Sequence, residues 1–182
     1  PMGPYSWNTT SYNPGIGRIN CSAVHPENPN IIFVGAPSGG LWKTEDGGLS
    51  WTTNTDDLPV LGVTSIAINP DNPDIMYMAS GDGDAGDTYS LGVLRSTDGG
   101  ETWENRSNGI IENAGITIRG IAVEPGNSDV VYAGGEVSSF VWAGEDVQGE
   151  AFDMVEGVIY KSIDAGMNWK AVWRGDNLVR YI

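Results

Sequence analysis

RSTDGGETW, residues 95–103, packs a hydroxyl, a carboxylate, two adjacent glycines and a tryptophan into nine positions. The pattern recurs as KTEDGGLSW at 43–51 and KSIDAGMNW at 161–169. All three read basic, hydroxyl, any, Asp, any, Gly, any, small polar, Trp. A reactive centre is normally assembled once per domain from scattered residues, whereas a structural device recurs with its supersecondary unit. Recurrence therefore argues for architecture over a catalytic or metal-binding role. In a tight hairpin, Asp46, Asp98 and Asp164 accept backbone N–H bonds, and Gly48, Gly100 and Gly166 adopt positive φ without steric cost. Thr44, Ser96 and Ser162 add a hydroxyl to the same corner. Trp51, Trp103 and Trp169 then open the outgoing strand and are expected to be largely buried.

A second phrase precedes each box: INCSAVHPENPNIIFVG (19–35), TSIAINPDNPDIMYMASG (64–81) and RGIAVEPGNSDVVYAGG (119–135). Each reads as a strand, a Pro-centred turn and a second strand ending in small residues. GGLW, GVLR and GVIY, just before the boxes, read as third strands, and the residues from each box tryptophan as fourth strands. Four antiparallel strands recurring every roughly fifty to sixty residues, with no credible helix, are the signature of β-propeller blades. The expected fold is all-β, a partial propeller of about three blades at 16–55, 62–107 and 116–174, with the start of a further blade at 177–182. A propeller ring usually needs four to eight blades, so the chain is expected to be the amino-terminal piece of a longer protein, self-association being the alternative.

The box resembles the Asp box, or BNR repeat, of sialidases, sortilin-type receptors, xyloglucan-hydrolysing glycoside hydrolases and a photosystem assembly factor. The wider stretch GRINCSAVHPENPNIIFVGAPSGGLWKTEDGGLSW resembles the amino-terminal propeller of large secreted Bacteroidetes proteins, sortilin-like or glycosyl-hydrolase-like and exported by type IX secretion. The resemblance implies a propeller and a secreted or cell-surface location. It does not by itself imply an activity, because enzymes and non-enzymes share the box.

Net charge is −15, with nine basic against 24 acidic residues, and the pI is about 4.1. That balance disfavours nucleic acid and anionic membrane surfaces. No signal peptide and no apolar run of eighteen residues is read in the sequence, so membrane insertion is not expected, and any export signal is expected to have been removed or to lie outside it. Cys21 is the only cysteine and reads as a core thiol; His25, before Pro26, reads as a turn residue.

In a four-stranded meander the loops alternate sides, so the second-to-third-strand loops lie opposite the boxes. From the turn prolines Pro26, Pro70 and Pro125 to the box aspartates the separations are 20, 28 and 39 residues, and the growth falls in those loops. Long ordered loops carry function more often than strands do. GDGDAGDTYS (81–90) holds Asp82, Asp84 and Asp87, and EVSSFVWAGEDVQGEAFDMVEG (136–157) holds Glu136, Glu145, Asp146, Glu150, Asp153 and Glu156. Tyr89, Phe140, Trp142 and Phe152 are interleaved with them. Aromatics beside acids suit a sugar-binding cleft or a surface for a basic peptide, so the candidate ligand-binding residues are Tyr89, Phe140, Trp142, Glu145, Asp146 and Phe152. Asp82, Asp84 and Asp87 form a candidate Ca²⁺ site in a Gly-rich loop, although no glutamate closes it at the EF-hand offset; no other cofactor is expected.

Two functions are open. One is a non-enzymatic recognition or adhesion propeller for a glycan or extracellular protein, the remaining blades of the parent being its other partners. The other is a glycoside hydrolase, which needs two carboxylates across a cleft. The resemblance to xyloglucan hydrolases implies a catalytic Asp in Asp-x-Gly-Gly-x-Tyr-Arg, and the aligned residue here is Pro37. Sialidase chemistry needs three clustered arginines. Of Arg18, Arg95, Arg106, Arg119, Arg174 and Arg180, Arg95 sits in a box, and Arg18 and Arg119 open matching strands. The expectation is binding without turnover, with any catalytic residues partly outside this chain.

Overall fold

The computed structural model describes residues 18–82, 90–110, 116–138 and 154–175. They form β1 (Cys21–Val24), β2 (Ile32–Ala36), β3 (Gly40–Thr44), β4 (Thr52–Thr53), β5 (Val63–Ile68), β6 (Met76–Ser80), β7 (Val93–Ser96), β8 (Glu104–Asn105), β9 (Ile116–Glu124), β10 (Asn127–Ser138), β11 (Met154–Ser162) and β12 (Lys170–Gly175). These make three antiparallel four-stranded sheets, β1 to β4, β5 to β8 and β9 to β12, each in sequence order. The fold is all-β, and each sheet is one blade.

Alternation along the strands divides the core in two. In blade 2, Met76, Met78 and Leu94 point one way and, together with Val63, bury against Phe33 and Leu41 of blade 1. Tyr77, Ala79 and Val93 point the other way and bury against Ile118, Val131, Tyr160 and Trp169 of blade 3. β6 is buried at all five positions because both of its faces are covered, which is why MYMAS reads as a continuous apolar run. The innermost strands are pinned to each other: Asn20 Nδ2 donates to Val63 O at 3.1 Å and Thr64 Oγ1 to Ile118 O at 2.6 Å. At Gly35 an added Cβ would lie 2.5 Å from Val63 Cγ1 and 2.6 Å from Cys21 Sγ, so blade 1 closes on blade 2 only where a side chain is missing. Burial pushes the Cys21 thiol up to about 12, which fits an inert core group.

Two expectations from the sequence need correction. The fourth strands start one residue after the box tryptophans, and in blades 1 and 2 they hold only two residues. There the ladder gives way to side-chain caps: Thr55 Oγ1 accepts from Leu41 N–H at 3.0 Å and Ser107 Oγ from Val93 N–H at 2.9 Å. The box tryptophans are not equally buried. Trp169 is 4% exposed, but Trp51 and Trp103 are half-buried. Trp169 is sealed by the tail of blade 2, where its Nε1–H donates to Arg106 O at 2.7 Å and its N–H to Asn108 O at 2.9 Å. Trp103 turns its Nε1–H to Gly100 O of its own box instead.

Candidate functional site

The three boxes share one hydrogen-bond pattern. Thr44, Ser96 and Ser162 donate through their hydroxyls to Oδ1 of Asp46, Asp98 and Asp164 at 2.8, 2.7 and 2.7 Å. Each hydroxyl also accepts the N–H of Gly48, Gly100 or Gly166 at 2.9 Å. Each Oδ1 takes a second N–H four residues on, from Ser50, Thr102 or Asn168, at 2.9 Å. Gly48, Gly100 and Gly166 have φ of 94°, 87° and 83°, which closes the turn. The N–H of Gly47, Gly99 and Ala165 donates to Asn30 O, Asp74 O and Asp129 O, tying each box to the first turn of its own blade. Hydrogen bonds from Ser50 and Thr102 hold the Asp46 and Asp98 carboxyls at about 2, and those from Asn168 lower Asp164. A carboxylate with both oxygens occupied in this way is a poor proton acceptor, so the geometry suits a turn clamp. His25 lies near this end, where its Nδ1 accepts from Glu27 N–H and Asn28 N–H within the β1–β2 turn.

The opposite end is assembled from the blade-to-blade connections and the second-to-third-strand turns. Gly40 N–H donates to Leu61 O and Gly81 N–H to Gly62 O, both at 2.9 Å. A Cβ at Gly62 would lie 2.5 Å from Gly81 O and 2.7 Å from Pro37 O, so three stretches of backbone converge there. Over this junction Arg18, at the start of blade 1, forms an ion pair of 2.6 Å with Asp82, at the end of β6 in blade 2. Asp82 is 3% exposed, and no sequence signal links it to Arg18, 64 residues away.

Asp82 therefore has a guanidinium partner, whereas a calcium ligand set would also draw on Asp84 and Asp87, which lie outside the described residues. Tyr89, Phe140, Trp142, Glu145, Asp146 and Phe152 lie outside them as well. Among the described residues no three His, Cys, Asp or Glu side chains gather as a metal set, and no helix is long and apolar enough to cross a membrane. The described part of this end brings Arg18, Pro37 and Asp82 together. It offers a fixed charge pair and, at the Pro37 turn, no carboxylate.

The comparisons agree with this architecture. The BNR/Asp-box repeat family matches residues 94–105, the central box and its flanking strands. No curated protein sequence matches the chain. Among solved structures, an ancestral GH74 enzyme is similar with a TM-score of 0.62 and 21% identity, over 93% of this chain and 20% of that one. The GH74 xyloglucanase from Xanthomonas campestris is similar with a TM-score of 0.58 and 15% identity, over 86% and 22%. YCF48 bound to D1 peptide is similar with a TM-score of 0.54 and 18% identity, over 94% and 47%. The chain thus spans about a fifth of the length of the GH74 enzymes it resembles. It is an all-β set of propeller blades whose central outer hairpin matches the BNR/Asp-box repeat and whose other two share its hydrogen-bond pattern.

Proposed function

We propose that these blades form part of the glycan-binding wall of a secreted glycoside-hydrolase-type propeller, with the end opposite the Asp boxes facing the polysaccharide. The observation that carries this is the preformed polar floor at that end, the Arg18–Asp82 pair above the packed backbone of Pro37, Gly62 and Gly81. The connections that leave this floor are those whose sequence is rich in acids and aromatics, the pairing that suits pyranose rings and their hydroxyls. The fold likeness to GH74 enzymes, one of them a xyloglucanase, favours a β-glucan chain as the ligand class. Hydrolysis would require two carboxylates facing one another across the cleft. Asp82 is taken up by Arg18 and the aligned catalytic position is Pro37, so this chain binds glycan and does not cleave it.

Affinity electrophoresis in gels containing xyloglucan, with a reducing-sugar assay alongside, tests this. Retarded migration without sugar release is expected, and Trp142→Ala or Tyr89→Ala should weaken the retardation without lowering the melting temperature. Unretarded migration in xyloglucan and in other β-glucans would sink the glycan reading. Sugar release abolished by one Asp or Glu substitution would instead make the chain itself catalytic. A second reading, recognition of a protein segment, is favoured by the likeness to YCF48 bound to a peptide, where this chain spans nearly half of the matched structure. Capture of a basic peptide but not of glycan would favour it.

A further inference from the structure

The seams between blades 1 and 2 and between blades 2 and 3 are built from the same repeat positions. An aromatic ring on the second strand of a blade, Phe33 or Tyr77, sits under the basic residue that opens that blade's own box, with Lys43 Nζ 5.9 Å and Arg95 Cζ 6.0 Å from the ring centres. The next blade presents a box glycine to the ring: Cβ atoms added to Gly100 and Gly166 would lie 3.2 Å from Cε1 of Phe33 and of Tyr77 respectively. The glycine is needed because the ring fills the space a side chain would take.

The polar groups around the two rings differ. In the first seam Lys43 has two acids: its Nζ lies 2.9 Å from Glu45 of its own box and 2.9 Å from Glu101 of the next. Asn54 donates to Gly100 O and Glu101 O at 2.8 Å. In the second seam the same positions carry Thr97 for Glu45, Met167 for Glu101 and Arg106 for Asn54. Arg106 bonds Glu104 of its own blade at 2.7 Å, and among the described residues no acid bonds Arg95. Tyr77, where blade 1 has a phenylalanine, is fully buried. Its hydroxyl, Arg95 Nε and Arg106 Nε are buried without a hydrogen-bond partner among the described residues. These groups form one cluster, because burial pushes the Tyr77 hydroxyl up and the charges of Arg95 and Arg106 oppose the rise. Exposed Asp129 also bears on this hydroxyl, but it bonds neither guanidinium. Arg95 is half-buried and the Arg106 side chain is 21% exposed, so both are within reach of solvent.

We propose that a small oxyanion, a sulfate, phosphate or carboxylate group, binds in the seam between blades 2 and 3 on Arg95, Arg106 and the Tyr77 hydroxyl, in the role that Glu101 has between blades 1 and 2. Two guanidiniums with one acid between them leave a positive charge uncompensated beside a buried hydroxyl, and an unmet buried donor is costly. A guanidinium presents its N–H donors in a fixed fork that matches the oxygens of such a group, and the phenol adds an O–H donor. Binding there tightens the seam, because Tyr77 and the stem of Arg106 both pack on the Gly166 turn of blade 3.

Thermal melting of the purified chain tests the proposal, with sodium sulfate or sodium acetate replacing chloride at constant ionic strength. Arg95→Gln removes one guanidinium, and Met167→Glu supplies the acid from within the chain at a position that is 52% exposed. The melting temperature of the parent should rise and saturate at millimolar anion. A response to sulfate alone marks a tetrahedral group, and a response to acetate marks a carboxylate. Arg95→Gln should weaken the apparent affinity about tenfold, as the loss of one charged hydrogen bond does. Met167→Glu should melt above the parent without added anion and lose the response, because its carboxylate takes the place that Glu101 holds in the other seam. No rise in the parent, an unsaturating rise shared by the parent and both variants, as general salt exclusion gives, or a Met167→Glu variant as responsive as the parent would overturn the proposal.

Discussion

At Ala165 the third box departs from the other two. Gly47 and Gly99 precede the clamped glycine with φ of 72° and 71°, whereas Ala165 holds 56° with a Cβ in place. A left-handed residue other than glycine costs about 1–2 kcal/mol, and glycine returns part of this through greater freedom in the unfolded chain. Ala165→Gly is therefore expected to stabilise by about 0.5–1 kcal/mol in urea titration, and a loss of stability would contradict the strain. The box aspartates set a pH dependence. The folded-state values of Asp46 and Asp98, about 2, lie below that of an ordinary carboxylate because Ser50 and Thr102 bond the charged form. As pH falls the unfolded chain takes up these protons first, so the contribution is complete above about pH 4 and is lost toward about pH 2. Asp98→Ala should lower the melting temperature at pH 7 and flatten its decline over that interval. The effect is modest, because the N–H groups that Asp98 serves are exposed to water and regain partners there. An unchanged acid profile in the variant would refute the clamp.

Among the elements, the connections between blades are more tightly specified than the strands. Gly62 joins blade 1 to blade 2 with its Cα pressed toward two carbonyl oxygens of the backbone, neither of which has a flexible end to yield. Gly62→Ala is expected to lower the urea midpoint by an amount equivalent to about 1–3 kcal/mol, and a neutral result would mean that the junction yields freely. Cys21 reports on the same seam, because its sulfur faces Gly35 beside Val63. The thiol should resist an aromatic disulfide reagent at pH 8 in the folded protein and react at once in concentrated urea. Ready labelling of the native chain would show that the contact between blades 1 and 2 opens.

For the whole molecule, one repeat position has different energetic weight in different blades. Tyr77 is fully buried between two blades, whereas Tyr132 has the cover of only one among the described residues. Removing a buried large aromatic costs about 3–5 kcal/mol. Tyr77→Ala should approach that figure, and Tyr132→Ala should fall below about 1 kcal/mol at concentrations where the chain is monomeric. Equal losses at the two sites would show that blade 3 is already covered.

The sequence by itself determined the local units. Asp, Gly and a hydroxyl at fixed offsets specify a turn through bonds that span four residues, and a threefold recurrence of that turn with its flanking strands specifies three blades. Local chemistry of this kind is legible because its partners are close in the chain. The pairing of Arg18 with Asp82, the half-burial of Trp51 and Trp103, and the shortening of β4 and β8 were decided only by the tertiary structure. The first two depend on what a neighbouring blade places against a residue, and the third on hydroxyl caps that reach back across the blade, Thr55 to Leu41 and Ser107 to Val93; the repeated boxes carry no mark in their own sequence of which flank will be covered. The register of Phe33, Tyr77 and Tyr132 was present in the repeat all along. Its meaning as a ring that receives the glycine of the next blade emerges only once two blades are stacked.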